Sequence, residues 1–434
     1  MIMFVADCLS VNGHNHLTIG GVDAIELAEQ YGTPLYVMDE GQIRTNCRMF
    51  RHSIEKHYSG KGLVTYASKA FSCKEMCRIV SDEGLGLDVV SAGEIYTAVE
   101  AGFPAERMFF HGNNKTAEEI AYALEVGVGR LVVDNLTELD VLNRMAHAAG
   151  KVVKILFRIK PGVDAHTHSF VRTGQIDSKF GLALETGEAM EAVKEAAKLE
   201  NVSLVGLHCH IGSQIFDIEP FEHAAEVMLR FISDIKKETG IRIKELDLGG
   251  GFGIKYVPEN DPVPYDSYME KVSEVVKGTC AKHGIDLPFL IIEPGRSIVG
   301  PAGITLYKVG SIKDIPNIRT YVAIDGGMTD NPRYALYESE YELVVASRAG
   351  DARTRSVTLA GKCCESGDLI GKDMSTQEIL EGDIVAVLAT GAYNYSMASN
   401  YNRIPRPAVV MVKDGTSRIV VKRESFEDLV RNDI

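Results

Sequence analysis

The sequence predicts an α/β fold: a TIM (β/α)8 barrel with a second, all-β C-terminal domain, which the N-terminal strands join. Three observations predict it. First, eight short apolar runs alternate with amphipathic helical stretches over about 240 residues, the size of such a barrel; alternation at this spacing implies parallel strands with crossover helices. Second, after about residue 305 the rhythm changes to short, mostly alternating runs separated by turn residues, which reads as all-β. Third, residues able to do chemistry fall just after the apolar runs, where a barrel gathers its site. The boundaries read from this pattern are 1–40 for an N-terminal segment contributing to the β domain, 41–303 for the barrel and 304–434 for the β domain. An open, doubly wound sheet is the competing architecture.

In chain order, TPLYVMDE near the N-terminus is a strand candidate, and residues 41–58 read as a helix. The barrel runs are GLVTY, GLDVV, RMFFHG, RLVVD, VKILFRI, LVGLHCH, ELDLGG and PFLIIEPG. They are near-continuously apolar, as strands covered on both faces must be. Many helical stretches between them, such as TAEEIAYALEVG, end in glycine, the residue that most easily takes the left-handed C-cap conformation. The C-terminal runs are ITLYKVGSI, RTYVAID, YELVVASR, RSVTLAG, DIVAVLAT, AVVMVKDG and SRIVVKRE.

Composition narrows the function classes. The 434 residues are 45% hydrophobic and 24% charged, an ordinary globular balance, and the net charge is -14. That acidity disfavours nucleic acid or an anionic membrane as partner, either of which selects a basic face. No stretch reaches the roughly 18 apolar residues of a membrane span, and the N-terminus lacks a basic leader region. Eight cysteines without a CxxC pair read as free thiols of a cytoplasmic protein.

The polar residues at the run ends are Lys69, Asp88, His111, Arg158, His208 with His210, Asp247 with Gly249, Gly250 and Gly251, and Glu293 with Arg296. Each has an ordinary reading. Lys69 could be a surface lysine, Asp88 a helix N-cap, the glycines a tight turn, and His210 a satisfied core histidine. The HxH pair at 208 and 210 could suggest a metal, but further ligands are not evident, so no metal is expected. Taken together, an amine, a glycine-rich loop and a buried acid on one barrel face suit pyridoxal phosphate. That cofactor needs an amine for its aldehyde, a phosphate cradle and an acid to keep its ring nitrogen protonated. LDLGGGFGI supplies a nest of backbone N–H groups, Ser213 a hydroxyl, Glu293 the acid, and His210 a flat ring to lie on the cofactor's face.

The segments YASKA, HCHIGSQ, DLGGGFG, EPGR, CESGD and GAYNYSM together resemble the fold-type III pyridoxal-phosphate decarboxylases. Within that family the chain is most similar to the members that decarboxylate meso-diaminopimelate to L-lysine, above all in the segment 158–181; the likeness runs from about residue 20 to residue 410. The resemblance implies a homodimer with shared active sites. It implies Lys69 as the Schiff-base lysine, Gly250, Gly251 and Ser213 at the phosphate, and residues 293–296, Gly295 included, lining the cofactor together with Asp88, Arg158 and His210. It makes Cys364 the proton donor from the other subunit and places Tyr393 near both phosphate and substrate. Arg296, Arg333, Tyr337 and Glu365 match substrate-binding positions. The stretch NPRYALY and Phe71 depart from the family's commoner residues, though Arg333 and Tyr337 keep their spacing.

The chemistry points the same way. An arginine on the departing carboxylate would stabilise the ground state, so Arg296 and Arg333 suit a second, distal carboxylate, with Glu365 for a distal amine. A thiol such as Cys364 suits the final protonation. A related decarboxylase of ornithine, arginine or lysine, a racemase on the same scaffold, and a non-catalytic cofactor-binding homologue are the competing functions. The long segment 160–180 has little apolar periodicity, and a lid over the barrel mouth is expected there.

Overall fold

The computed structural model describes residues 4–163 and 177–434. The chain divides into two compact units. One comprises Met1–Asn46, Ile254–Asp261 and Arg296–Ile434; the other comprises Cys47–Gly253 and Pro262–Gly295.

The second unit is the barrel. Its strands are Gly62–Ala67, Gly86–Val89, Met108–Phe110, Arg130–Val133, Val153–Lys160, Val202–His208, Glu245–Asp247 and Phe289–Ile292. All pair in parallel, each with the next, and Phe289–Ile292 pairs with Gly62–Ala67 to close the ring. All eight apolar runs read from the sequence therefore become barrel strands, and the open-sheet alternative falls. Phe109, Val132, Leu156 and Ile291, from four of these strands, pack together in one fully buried cluster. The helices obey their end signals. Ser91, Thr116 and Asn135 each cap a helix N-terminus by accepting a backbone N–H, and Gly127, Gly240 and Gly284 end helices in the left-handed region.

Strand register decides which residues share a level of the barrel. Ala67 pairs with Asp88, Arg158 with His208, and His208 with Asp247. Arg158, His208 and Asp247 thus share one level of the ring, and Asp88 lies beside Ala67, two residues before Lys69.

The first unit is built on a nine-stranded sheet. The N-terminal strand Leu35–Asp39 lies inside it, antiparallel to Gly303–Ile315 and parallel to Ala408–Lys413. Strand Leu369–Thr376 escaped the sequence reading. It reads LIGKDMST, its apolar alternation is broken at Gly371-Lys372-Asp373, and its pairing with Arg355–Ala360 carries register shifts at that place. A small sheet of Leu9–Val11, Leu17–Ile19 and Val22–Asp23 and the helix Ala24–Tyr31 also escaped it; the strands are two or three residues long, too short to show a period. Among the described residues no helix is long and apolar enough to cross a membrane.

Candidate active site

In the barrel unit the polar residues at the strand ends gather around Lys69 and Glu293. Lys69 sits on the 3-10 turn Ser68–Ala70 that ends the first strand. The turn is pinned to the EPGR segment: the Ala67 N–H donates to the Pro294 carbonyl at 3.2 Å. A Cβ on Gly295 would meet the Ala67 Cβ at 2.9 Å, so only glycine permits this approach. Ser68 and Ala70 are buried and Lys69 is exposed. Lys69 is thus open to solvent in the single chain, where an incoming aldehyde can reach it. Residues in a turn of three per revolution point about 120° apart, and burying the two flanking residues leaves the middle one facing out.

Glu293 is the buried acid. His208 Nε2 lies 3.1 Å from one of its oxygens and His111 Nε2 2.8 Å from the other. The three donor groups lie within 4.8 Å of one another. Burial alone would raise the Glu293 carboxyl; the facing His111 and His208 outweigh it and hold it well below its ordinary range. Burial pushes His208 down to about 4, so it is a neutral imidazole donating its Nε2–H to an ionised carboxylate. Asp247, fully buried, is pushed well above its ordinary range by burial and then by the Glu293 charge, making it the neutral acid of the pair. Its Oδ1 accepts the Gly249 N–H at 2.9 Å.

Asp88 is buried, and burial raises it, opposed by His111 at 3.7 Å. Its helix-cap reading fails, because Ser91 caps the helix that follows. Arg158 packs its guanidinium over Phe180 at 4.2 Å from the ring centroid. Asp134, buried at the end of the fourth strand, is raised by burial and opposed by Arg158. The sequence reading passed over Asp134, although the rule that found its neighbours, a polar residue directly after an apolar run, applies to RLVVD as well.

The loop after the sixth strand and the glycine loop after the seventh touch. The Ile215 N–H donates to the Gly251 carbonyl at 2.9 Å, and a Cβ on Gly251 would fall 2.6 Å from the Gly212 carbonyl. Ser213 and the glycines are joined by this contact. Gly249 and Gly251 have positive φ, and a Cβ on Gly250 would sit 2.1 Å from the Glu293 carbonyl. The Gly250 N–H donates to His210 Nδ1 at 3.2 Å, which puts the ring proton of neutral His210 on Nε2. The two histidines of the HxH pair thus serve different partners, Glu293 and Gly250.

The residues fit pyridoxal phosphate. An ionised acid is held inside the ring of strands that ends in Lys69, and the glycine loops approach one another more closely than any side chain would allow. Buried polar atoms without a hydrogen-bond partner, Asp88 Oδ1 and His208 Nδ1, face the same cluster.

The β unit holds a second cluster. Arg296 and Arg333 are both buried, and both donate an Nη1–H to the hydroxyl of Tyr256, at 2.5 and 2.6 Å. Arg333 also reaches the hydroxyls of Tyr341 at 3.4 Å and Ser339 at 3.2 Å. The Tyr393 ring lies 4.7 Å from Arg296 and 5.9 Å from Arg333, and Tyr393 itself has a left-handed backbone with φ 62°. Tyr337 lies one turn beyond Arg333 on the short helix Arg333–Tyr337 and is half-buried. Tyr256, five residues past Gly251, was not singled out from the sequence; its apolar surroundings give no hint of two guanidinium partners.

In the CCESGD loop Cys363 is buried and Cys364 and Glu365 are exposed. The Asp368 carboxylate accepts the N–H groups of Met328 and Cys363 at 2.6 and 2.7 Å, which fixes the loop. The Cys364 N–H donates to Asn402 Oδ1 at 2.8 Å. The expected lid over 160–180 falls, through residues 164–176, outside the described residues.

Residues 40–300 match the model of the pyridoxal-dependent decarboxylase family, pyridoxal binding domain. The whole chain is 51% identical over 433 residues to the diaminopimelate decarboxylase of Bacillus subtilis (strain 168), covering 98% of that protein. The chain belongs to the diaminopimelate decarboxylase family. The Staphylococcus aureus member is 48% identical over 97% of this chain and 98% of its own length. The crystal structure of the M. jannaschii diaminopimelate decarboxylase in complex with L-lysine superimposes with a TM-score of 0.91 at 37% identity, over 100% of this chain and 99% of that one. A family cofactor is accordingly pyridoxal phosphate, and the barrel cluster is where the matched domain lies.

Proposed function

We propose that this protein is a cytoplasmic, homodimeric enzyme that decarboxylates meso-diaminopimelate to L-lysine with pyridoxal phosphate. The observation that carries the reading is the full-length likeness to diaminopimelate decarboxylases at about half identity. The geometry agrees with it. An ornithine-type decarboxylase has no use for two buried arginines meeting at one oxygen, and a carboxylate-bearing substrate does.

Bound pyridoxal phosphate supplies an aldehyde for the substrate amine and a protonated ring that withdraws electrons from Cα. Lys69 provides the amine that tethers it. Glu293, kept ionised by His111 and His208, holds the proton on the ring nitrogen. His210, with its tautomer set by the Gly250 N–H, would lie against the cofactor. Gly251, Gly250 and Ser213 would hold the phosphate. Asp88, Arg158, Gly295 and Tyr393 complete the cofactor residues. Arg296 and Arg333, with Tyr337 and Tyr393, hold the carboxylate that stays, and Glu365 holds the amine beside it. The carboxylate that leaves is not clamped, so no interaction is lost as it departs. Cys364 delivers the proton to Cα. Cys364 and Glu365 are exposed in the single chain, which suits residues that serve a partner subunit.

Purified protein given pyridoxal phosphate and meso-diaminopimelate is expected to release carbon dioxide and L-lysine in equal amounts, and Lys69→Ala to release neither. Faster turnover of ornithine would overturn the substrate assignment. Mixing Lys69→Ala with Cys364→Ala chains is expected to restore part of the activity; two inactive variants that stay inactive when mixed would rule out shared sites.

A further inference from the structure

We infer that Tyr256 is a specificity-determining positioning residue: its hydroxyl joins Arg296 and Arg333 into one carboxylate-reading unit. The inference rests on the proposed decarboxylase reading and assigns a residue that the sequence motifs passed over. Two buried guanidinium groups repel each other unless something negative or strongly accepting lies between them. In this unit the group between them is the Tyr256 hydroxyl, 2.5 Å from one Nη1 and 2.6 Å from the other. The phenol ring is itself fixed, buried and edge-on to Tyr341 with centroids 5.5 Å apart. Tyr341 and Ser339 take two further contacts of Arg333, and the Tyr393 ring lies against both guanidinium groups. Arg333 is held by hydroxyls and aromatic rings, with no carboxylate among these partners, which suits it to take an incoming anion.

Two arginines spanned by a phenol present two forks at a fixed separation, the arrangement that recognises a planar carboxylate. Against the effect of burial, Arg296 and Arg333 hold the phenol below its ordinary range, in keeping with their contacts to its oxygen. The ligand class is an amino acid whose carboxylate remains after the reaction. L-lysine keeps that carboxylate, and cadaverine is the same chain without it.

The test compares L-lysine and cadaverine as competitive inhibitors of the holoenzyme, in wild type and in Tyr256→Phe. Wild type is expected to bind L-lysine at least tenfold more tightly than cadaverine. Tyr256→Phe is expected to weaken L-lysine about tenfold and raise KM for diaminopimelate similarly, with cadaverine binding, kcat and cofactor absorbance within about twofold. A purely structural role would weaken both inhibitors and lower kcat as well. Unchanged or tighter L-lysine binding in Tyr256→Phe overturns the inference while leaving the decarboxylase reading intact; absence of carbon dioxide release by wild type overturns that reading. A second variant covers a Tyr256→Phe chain that does not fold. Tyr256→His keeps a ring with a hydrogen-bonding atom and is expected to weaken L-lysine more than cadaverine in the holoenzyme. Equal weakening of both, or none of L-lysine, overturns the inference.

Discussion

Replacing Gly250 by alanine places a Cβ 2.1 Å from the Glu293 carbonyl oxygen. Carbon and oxygen approach to about 3.3 Å even in favourable contacts, so the two backbones must separate by roughly 1 Å. That movement drags on three things at once: the Glu293 segment, the Gly250 N–H that sets His210, and the contact of the glycine loop with the loop of Ser213. Overpacking of this kind costs about 1–3 kcal/mol of stability, and a displacement of about 1 Å at a site can cost about 100-fold in rate. Gly250→Ala is therefore expected to melt several degrees below wild type and to lose about 100-fold in kcat/KM for carbon dioxide release. Gly278→Ala is the control. It lies in the helix Tyr265–His283, its Cβ would meet nothing within 4 Å, and it is expected to gain about 0.5–1 kcal/mol from helix propensity alone. A Gly250→Ala enzyme with wild-type melting and activity, or a Gly278→Ala enzyme damaged to the same degree, would refute the close-approach argument.

Other predictions concern stability and reactivity. Asp330 is buried beneath Tyr307, and burial raises it to about 7. Its proton is held more tightly in the folded state than in the unfolded chain, where the group titrates near 3.9. The stability it contributes is complete below about pH 4 and is lost as pH rises through 7, up to about 4 kcal/mol across that window. Urea melts of Asp330→Asn should show this pH dependence flattened, and an identical slope in wild type and variant would count against it. Lys115 is buried with its ammonium 2.7 Å from Glu138, so Lys115→Met leaves a buried acid unpaired and is expected to cost about 3–5 kcal/mol. The double variant with Glu138→Leu should recover most of this, and no recovery would show that the pair is not the source. Cys364 is exposed, whereas burial, then Asp368, pushes Cys363 up to about 11. At pH 8 a thiol reagent should label Cys364 first, and cofactor with L-lysine should slow it; peptide mapping that finds Cys363 ahead of Cys364 contradicts the loop geometry.

The barrel was legible because its strands are covered on both faces. Runs such as VKILFRI and PFLIIEPG are continuous in apolar residues, and the positions just past them are set by the chain's own geometry. Lys69, Asp88, His111, Arg158, His208 and Glu293 were found by that rule alone, and the strand register brings Arg158 and His208 to one level. What the sequence did not show is what depends on contacts distant in the chain. That Glu293 lies between His111 and His208, that Asp247 is the neutral acid, and that Gly250 donates to His210 are results of closure, and no spacing encodes them. The exposure of Lys69 between buried Ser68 and Ala70 comes from a turn, which unlike a strand rotates its residues out of line. Tyr256 was invisible for the same reason as the strand Leu369–Thr376: neither repeats at a period.

The polypeptide passes between its two units at four places, after Asn46, Gly253, Asp261 and Gly295. Neither unit is one uninterrupted stretch, so neither can be cut out by trimming the ends. The early strand Leu35–Asp39, apolar on both faces, also has to wait during synthesis until Gly303–Ile315 and then Ala408–Lys413 leave the ribosome before its backbone groups are paired. A nascent chain with such a wait exposes an unsatisfied edge. Its yield in a cell should therefore depend on chaperone supply more steeply than that of a barrel encoded without interruption.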